Sequence, residues 1–185
     1  MFELNSFINA CRAAAELDDI SQAKETLFKL MQKEFQTPQS ILANMPDIDE
    51  DERLIFEDEI CQVWYCGFNK GVHIPPHDHQ CFAYVGVYEG VEVNHLYTHD
   101  HTQNTLSFHS SLCLGVGDIL PICPDDIHSV ESADGQRSKA LHVYLANLST
   151  VKRSLFDWRS GEKLPFSEER FNELSAREDR PNTSV

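Results

Sequence analysis

The strongest constraint in this chain is a pair of histidines one residue apart, His77 and His79, directly after Pro75-Pro76. Adjacent prolines exclude a helix there. Neither can donate a helical hydrogen bond, and each pushes its predecessor into extended backbone. In a strand, residues i and i+2 share a face, so His77-x-His79 aims two imidazoles into one space. The run from Cys81 to Tyr88 is aromatic and β-branched, which predicts a strand there. Two imidazoles on one face, joined by a third ligand from elsewhere, make a transition-metal site.

The chain has 185 residues, enough for one domain with a core of its own. Residues 5–45 read as helices. Phe7, Ile8, Cys11, Ala14 and Ala15 recur at helical spacing, and Ile20, Ala23, Leu27, Leu30 and Met31 form a second stripe behind Asp19 as N-cap. Thr37-Pro38 predicts a third, short helix capped by Thr37. The acid-rich stretch 47–59, with Arg53 inside it, reads as a solvated loop and edge. From Ile60 to about Leu148, short apolar runs alternate with turn signals such as Glu89-Gly90, Gly115-Val116-Gly117-Asp118 and Ala133-Asp134-Gly135. That rhythm belongs to antiparallel strands in a sandwich or barrel. Helix returns at Ser167 to Leu174, and the tail from Arg177 is expected to fray. The division is therefore a single domain over 1–185: a helical segment 1–45, a β-barrel 53–153 and a C-terminal extension 154–185.

Charge and cysteine usage narrow the partners. The net charge of −15 argues against nucleic acid and anionic membranes, whose phosphates call for Lys and Arg. No apolar run approaches the roughly 20 residues of a membrane span. The N-terminus MFELNSFINACRAAAEL has no basic segment followed by a long apolar one, so a secretion signal is not expected. The six cysteines include no Cys-x-x-Cys pair. They read as reduced thiols, and the expected location is cytoplasmic. A homodimer stays open.

Gly71, His77-x-His79 and Gly90 together resemble the first conserved motif of the cupin superfamily. The stretch from Gly117 through Pro121 to His128 resembles the second, with its proline displaced by one. The resemblance covers roughly residues 53–153. It implies a mainly β fold, the double-stranded β-helix or jelly-roll barrel, here preceded by α-helices, and it implies His128 as the third metal ligand. Many metal-binding cupins carry a glutamate shortly after His-x-His. Here that region is Cys81-Phe82-Ala83-Tyr84, without a carboxylate. A three-histidine set resembles the thiol dioxygenase branch, cysteine dioxygenase and mercaptopropionate dioxygenase. The branch also has Ser-x-His-x-Tyr on a later strand; His142 and Tyr144 match it, while Ala140 replaces the serine.

That resemblance implies an Fe(II) cofactor, and a small carboxylated thiol and O2 as partners. It implies Tyr144 as a donor toward the bound ligands, with His142 orienting it. A carboxylate-binding arginine is implied as well, with Arg153 and Arg53 the two candidates, since a guanidinium grips a carboxylate through two bonds. Two rivals stand beside this reading: another metal-dependent cupin enzyme, such as a carbon dioxygenase or isomerase, and a non-catalytic small-ligand-binding cupin. Plain strand alternation also accounts for Leu141 to Tyr144. His95, His99, His101 and His109 are expected at solvated or hairpin-tip positions, and His73 at the pocket mouth.

Overall fold

The computed structural model describes residues 1–69, 71–133 and 136–177. The expected turn at Asp134-Gly135, and the tail beyond Arg177, lie outside the described residues.

Three helices open the chain: α1 (Leu4–Ala15), α2 (Ile20–Glu34) and α3 (Pro38–Asn44). Asp19 caps α2 by accepting from the Ser21 and Gln22 backbone N–H groups at 2.8 and 3.3 Å. Thr37 occupies the cap of α3, but its side chain makes no capping bond. Its carbonyl instead accepts from the Ser40 N–H at 2.8 Å, and Pro38 supplies the helical φ.

The remainder is mostly strand: β1 (Glu52–Glu57), β2 (Gln62–Cys66), β3 (His73–His77), β4 (Ala83–Glu89), β5 (Glu92–Asp100), β6 (Thr105–Leu114), β7 (Ile119–Ile122), β8 (Ile127–Ser132), β9 (Lys139–Tyr144), β10 (Ser154–Phe156) and β11 (Lys163–Pro165), then helix α4 (Glu168–Ser175). They form two antiparallel sheets, ordered β1-β2-β9-β4-β7 and β11-β10-β3-β8-β5-β6. From β2 to β10 the chain changes sheet at every connection except the β5–β6 hairpin. That crossing pattern is the jelly roll, the double-stranded β-helix of the cupin fold. The acidic stretch supplies β1, the edge strand of its sheet.

Why the Cys81–Tyr88 run is apolar throughout follows from what covers it. Tyr84 and Tyr88 of β4 and Leu141 and Val143 of β9 pack outward against Phe7, Cys11, Leu27, Met31 and Ile41 of the helices. Ala83, Val85 and Val87 turn inward with Ala140 and Tyr144. A strand buried on both faces loses the polar half of its alternation. Gly86 sits where the outer face meets Phe35; a Cβ there would lie 2.4 Å from the Phe35 ring.

One local expectation is corrected. Pro75 and Pro76 do not precede the strand; they lie within β3, which ends at His77 and leaves Asp78 and His79 beyond it. Prolines cannot donate to a ladder, so the β3–β8 register breaks between Ile74 and His77 and resumes with His77 opposite His128.

The Gly86–Phe35 contact yields a test. Gly86→Ala should destabilise the fold by about 1–3 kcal/mol through overpacking, read as a lower midpoint in denaturant unfolding. Adding Phe35→Leu should cost less in that background than in the wild type.

Candidate metal centre

His77 closes β3, His79 follows two residues later, and His128 faces His77 across the sheet from β8. One nitrogen from each ring lies within 4.8 Å of the others, and no other group of three ligand-type residues among the described ones converges in this way. His79 Nε2 and His128 Nε2 are 2.9 Å apart. All three rings are buried. Burial brings the His77 pKa down to about 4 and holds His79 and His128 well below their ordinary range. The rings are therefore neutral at pH 7, with lone pairs free for a cation.

The backbone and a buried amide settle which nitrogens those are on His77 and His128. The His77 Nδ1–H donates to the Pro75 carbonyl at 2.8 Å, and a carbonyl only accepts, so the lone pair stays on Nε2. His128 Nδ1 lies 2.7 Å from Asn94 Oδ1, and Asn94 Nδ2 donates to Glu92 Oε1 at 2.8 Å. The amide is thereby oriented, His128 carries its proton on Nδ1, and its Nε2 also faces the centre. Glu92 and Asn94 have no solvent exposure. Three imidazole lone pairs from one side fit a divalent transition metal with open positions opposite. His79 Nδ1 is buried without a partner.

Tyr144 packs beside His79, with ring centroids 5.0 Å apart, and its hydroxyl lies 3.3 Å from His142 Nδ1. Burial raises its pKa well above the usual phenol value, so it stays protonated. On the far side of His142, Nε2 stands 3.7 Å from Glu92 Oε2. Neither of those two atoms has a hydrogen-bond partner.

His77 and His79 open onto a cavity of about 360 Å³, lined also by Tyr144, Arg153, Glu52, Glu168 and Trp64. The Arg153 guanidinium lies 3.8 Å over the Phe166 ring and pairs with no carboxylate among the described residues. Burial draws its pKa down, and nearby Tyr144 and Cys81 oppose that. Asp78 fixes the strand beside it: the Asp78 N–H donates to the Ser154 carbonyl at 3.2 Å, and Asp78 Oδ1 accepts from the Ser154 N–H at 2.8 Å. A second groove of about 800 Å³ shares Trp64, Leu148 and Arg153 with this cavity and adds Lys152 and Lys163.

Arg53 does not join them. It pairs with Glu50 at 2.5 Å on the exposed outer face. In the β1–β2 register Arg53 lies opposite Tyr65, whereas Glu52 and Leu54 lie opposite Cys66 and Trp64. Strand alternation thus sends Glu52 inward and Arg53 out. The Glu52 carboxyl opens onto the cavity, and the protein packed around it raises its pKa.

Two histidine expectations are also corrected. His95 is buried rather than solvated, with its ring nitrogens 2.7 Å from Ser111 Oγ and 2.9 Å from Glu131 Oε1. His73 does not line the cavity; its Nδ1 lies 2.9 Å from Glu131 Oε2. His99, the last residue but one of β5, has its Nε2 3.0 Å from the Gly161 carbonyl, and His101 and His109 are exposed.

Sequence reading missed Glu92, Asn94 and Glu52. The signal was present for the first two: on β5, Glu92, Asn94 and Leu96 share one face, and Leu96 lies opposite His128. What hid them was the absence of any register linking β5 to β8.

No protein-family model matches the chain. Among solved structures, the chain is similar to the DMSP lyase DddQ from Ruegeria pomeroyi, at 15% identity and a TM-score of 0.45, over 56% of this chain and 50% of that one. It is similar to a cupin superfamily protein from Desulfitobacterium hafniense, at 17% identity and a TM-score of 0.43, over 60% of this chain and 89% of that one. A protein from Bacillus halodurans matches at 14% identity and a TM-score of 0.48, over 63% and 78% of the two chains. The chain thus spans half the length of the lyase. The assignment of the fold rests on the strand order and not on these likenesses.

Two outcomes follow from the geometry. Asn94→Ala should leave the three ligands in place but lower metal affinity about 10- to 100-fold, because the outer partner of His128 is gone; chelator competition measures it, with His128→Ala as the null control. Separately, His73 and His95 hold the Glu131 carboxyl far below its ordinary 4.5. A depressed acid stabilises the fold above its unfolded pKa and loses that contribution as pH falls through the folded value. Glu131→Gln should therefore be less stable than wild type at pH 7, with the gap narrowing below about pH 4.5 in denaturant melts.

Proposed function

We propose that the protein is an iron-dependent thiol dioxygenase, converting a small carboxylated thiol of the cysteine or mercaptopropionate type to its sulfinic acid with O2. The observation that carries the proposal is the convergence of His77, His79 and His128 with no carboxylate in the set, beside a cavity that His77 and His79 line together with Tyr144, Glu52, Glu168 and an Arg153 that pairs with no carboxylate among the described residues. Fe(II) held by His77, His79 and His128 would supply the redox chemistry that joins a thiolate sulfur to dioxygen. The reaction RSH + O2 → RSO2H balances without a further reductant.

The chain's own residues have separable parts in it. Arg153 grips the substrate carboxylate through its planar fork and so orients the molecule with its sulfur toward the histidines. Trp64, Leu148 and Phe166 exclude water from the space between, which strengthens that contact. Tyr144, protonated at neutral pH, presents its phenol to the same space. His142 holds the phenol in place.

Three imidazoles also suit zinc, which in such a set activates water rather than dioxygen. Oxygen consumption separates the two readings. Iron-loaded protein should take up one O2 per thiol and yield a sulfinate; zinc-loaded protein should not. No uptake across a panel of carboxylated thiols would favour the zinc enzyme or the binding module. Within the dioxygenase reading, Arg153→Ala should lower kcat/KM for a carboxylated thiol roughly 10- to 100-fold, the loss of a charge-assisted bidentate contact. It should leave the uncharged amine analogue unaffected, and Lys at this position should rescue only in part.

A further inference from the structure

We infer that Glu92 is a positioning residue that sets hydrogen-bond direction along two paths to the centre, fixing the ligand nitrogen of His128 and the orientation of the Tyr144 hydroxyl together. The inference rests on the metal reading above for the role of His128; its other limb stands on the protein alone.

The first limb runs from Glu92 to His128. Oε1 accepts from Asn94 Nδ2, which turns Asn94 Oδ1 toward His128 and places the ring proton on Nδ1. The second limb runs from Oε2 of the same carboxylate, which is fully buried and 3.7 Å from His142 Nε2. Both of these atoms lack any other partner. Glu92 is taken in its ionised form, in which both oxygens have only lone pairs to offer. If His142 carried its proton on Nδ1, a bare nitrogen would face a bare oxygen in the interior, and both would remain unsatisfied. With the proton on Nε2, the two atoms satisfy each other after a small closing movement. A ring that carries its single proton there has a lone pair at Nδ1, 3.3 Å from the Tyr144 oxygen. The phenol donates to it.

A specific consequence for the cavity follows. The Tyr144 proton points back into the wall, and the phenol oxygen meets the substrate space with a lone pair. The sequence expectation had Tyr144 donating toward the bound ligands; here it accepts from them. The position that Ala140 leaves without a hydroxyl is served instead by Glu92 from a neighbouring sheet.

Glutamine is the discriminating replacement. At Glu92→Gln the amide oxygen can still accept from Asn94, while its NH2 donates to His142 Nε2. That drives the His142 proton to Nδ1 and releases the Tyr144 hydroxyl toward the cavity. The readout is the ring nitrogens of His142 and His128 in long-range 1H–15N spectra of zinc-loaded protein, without thiol. In the wild type, His142 should show a protonated Nε2 and a bare Nδ1. In Glu92→Gln the two should exchange, with His128 unchanged. A wild-type His142 protonated on Nδ1 overturns the inference without recourse to any variant, as does an unchanged His142 pattern in folded Glu92→Gln. Failure of thiol oxidation would leave this result standing. If zinc does not bind, the metal reading fails, and the His142 pattern is read in metal-free protein with the same two outcomes.

Discussion

The antiparallel register of β3 and β8 sets His77 opposite His128, and the convergence of the three imidazoles depends on that alignment. Two prolines interrupt the ladder just before it, so the alignment is restored only at His77 itself. Because side chains alternate, a slip of one residue on β8 would turn His128 out of the barrel and bring Ile127 or Ser129 to its place. The alignment is held from outside the site. β10 closes one side of β3, and β5 closes the far side of β8. The N-terminal helices reinforce the facing sheet, where Phe35 occupies the space that Gly86 leaves open.

Placing so many polar groups in a dry interior is costly unless each finds a partner. Neutral imidazoles limit the cost, since burial suppresses their charged form. The Pro75 carbonyl and Asn94 satisfy the outward nitrogens of His77 and His128. Among the described residues, Glu92 is the one carboxyl-bearing side chain with no solvent exposure, and Asn94 satisfies one of its oxygens.

Most of the architecture was legible in the sequence because hydrophobic pattern and turn chemistry are local. The helical stripes, the Asp19 cap and the strand rhythm each need only a few neighbouring residues. His77-x-His79 belongs to the same class of signal, whereas His128 is reached through the resemblance of the Gly117–His128 stretch to a cupin motif; Gly71, Gly90 and Gly117 are all at positive φ, where turns require them. What stayed hidden depends on register. Arg53 and Glu52 are adjacent in sequence, and only the β1–β2 pairing decides which of them turns inward. His95 looked like a surface residue because its partner, Glu131, lies 36 positions further on.

Asp78 sits between two of the three histidines and is bonded twice to Ser154, the residue after Arg153. The guanidinium and the imidazoles of His77 and His79 therefore hang from one short piece of tied backbone, while His128 is held on β8. Whatever tightens the histidine cluster also steadies the arginine, and by reciprocity whatever the arginine holds tightens the cluster. A molecule anchored at both ends of such a unit gains more than the sum of its two contacts.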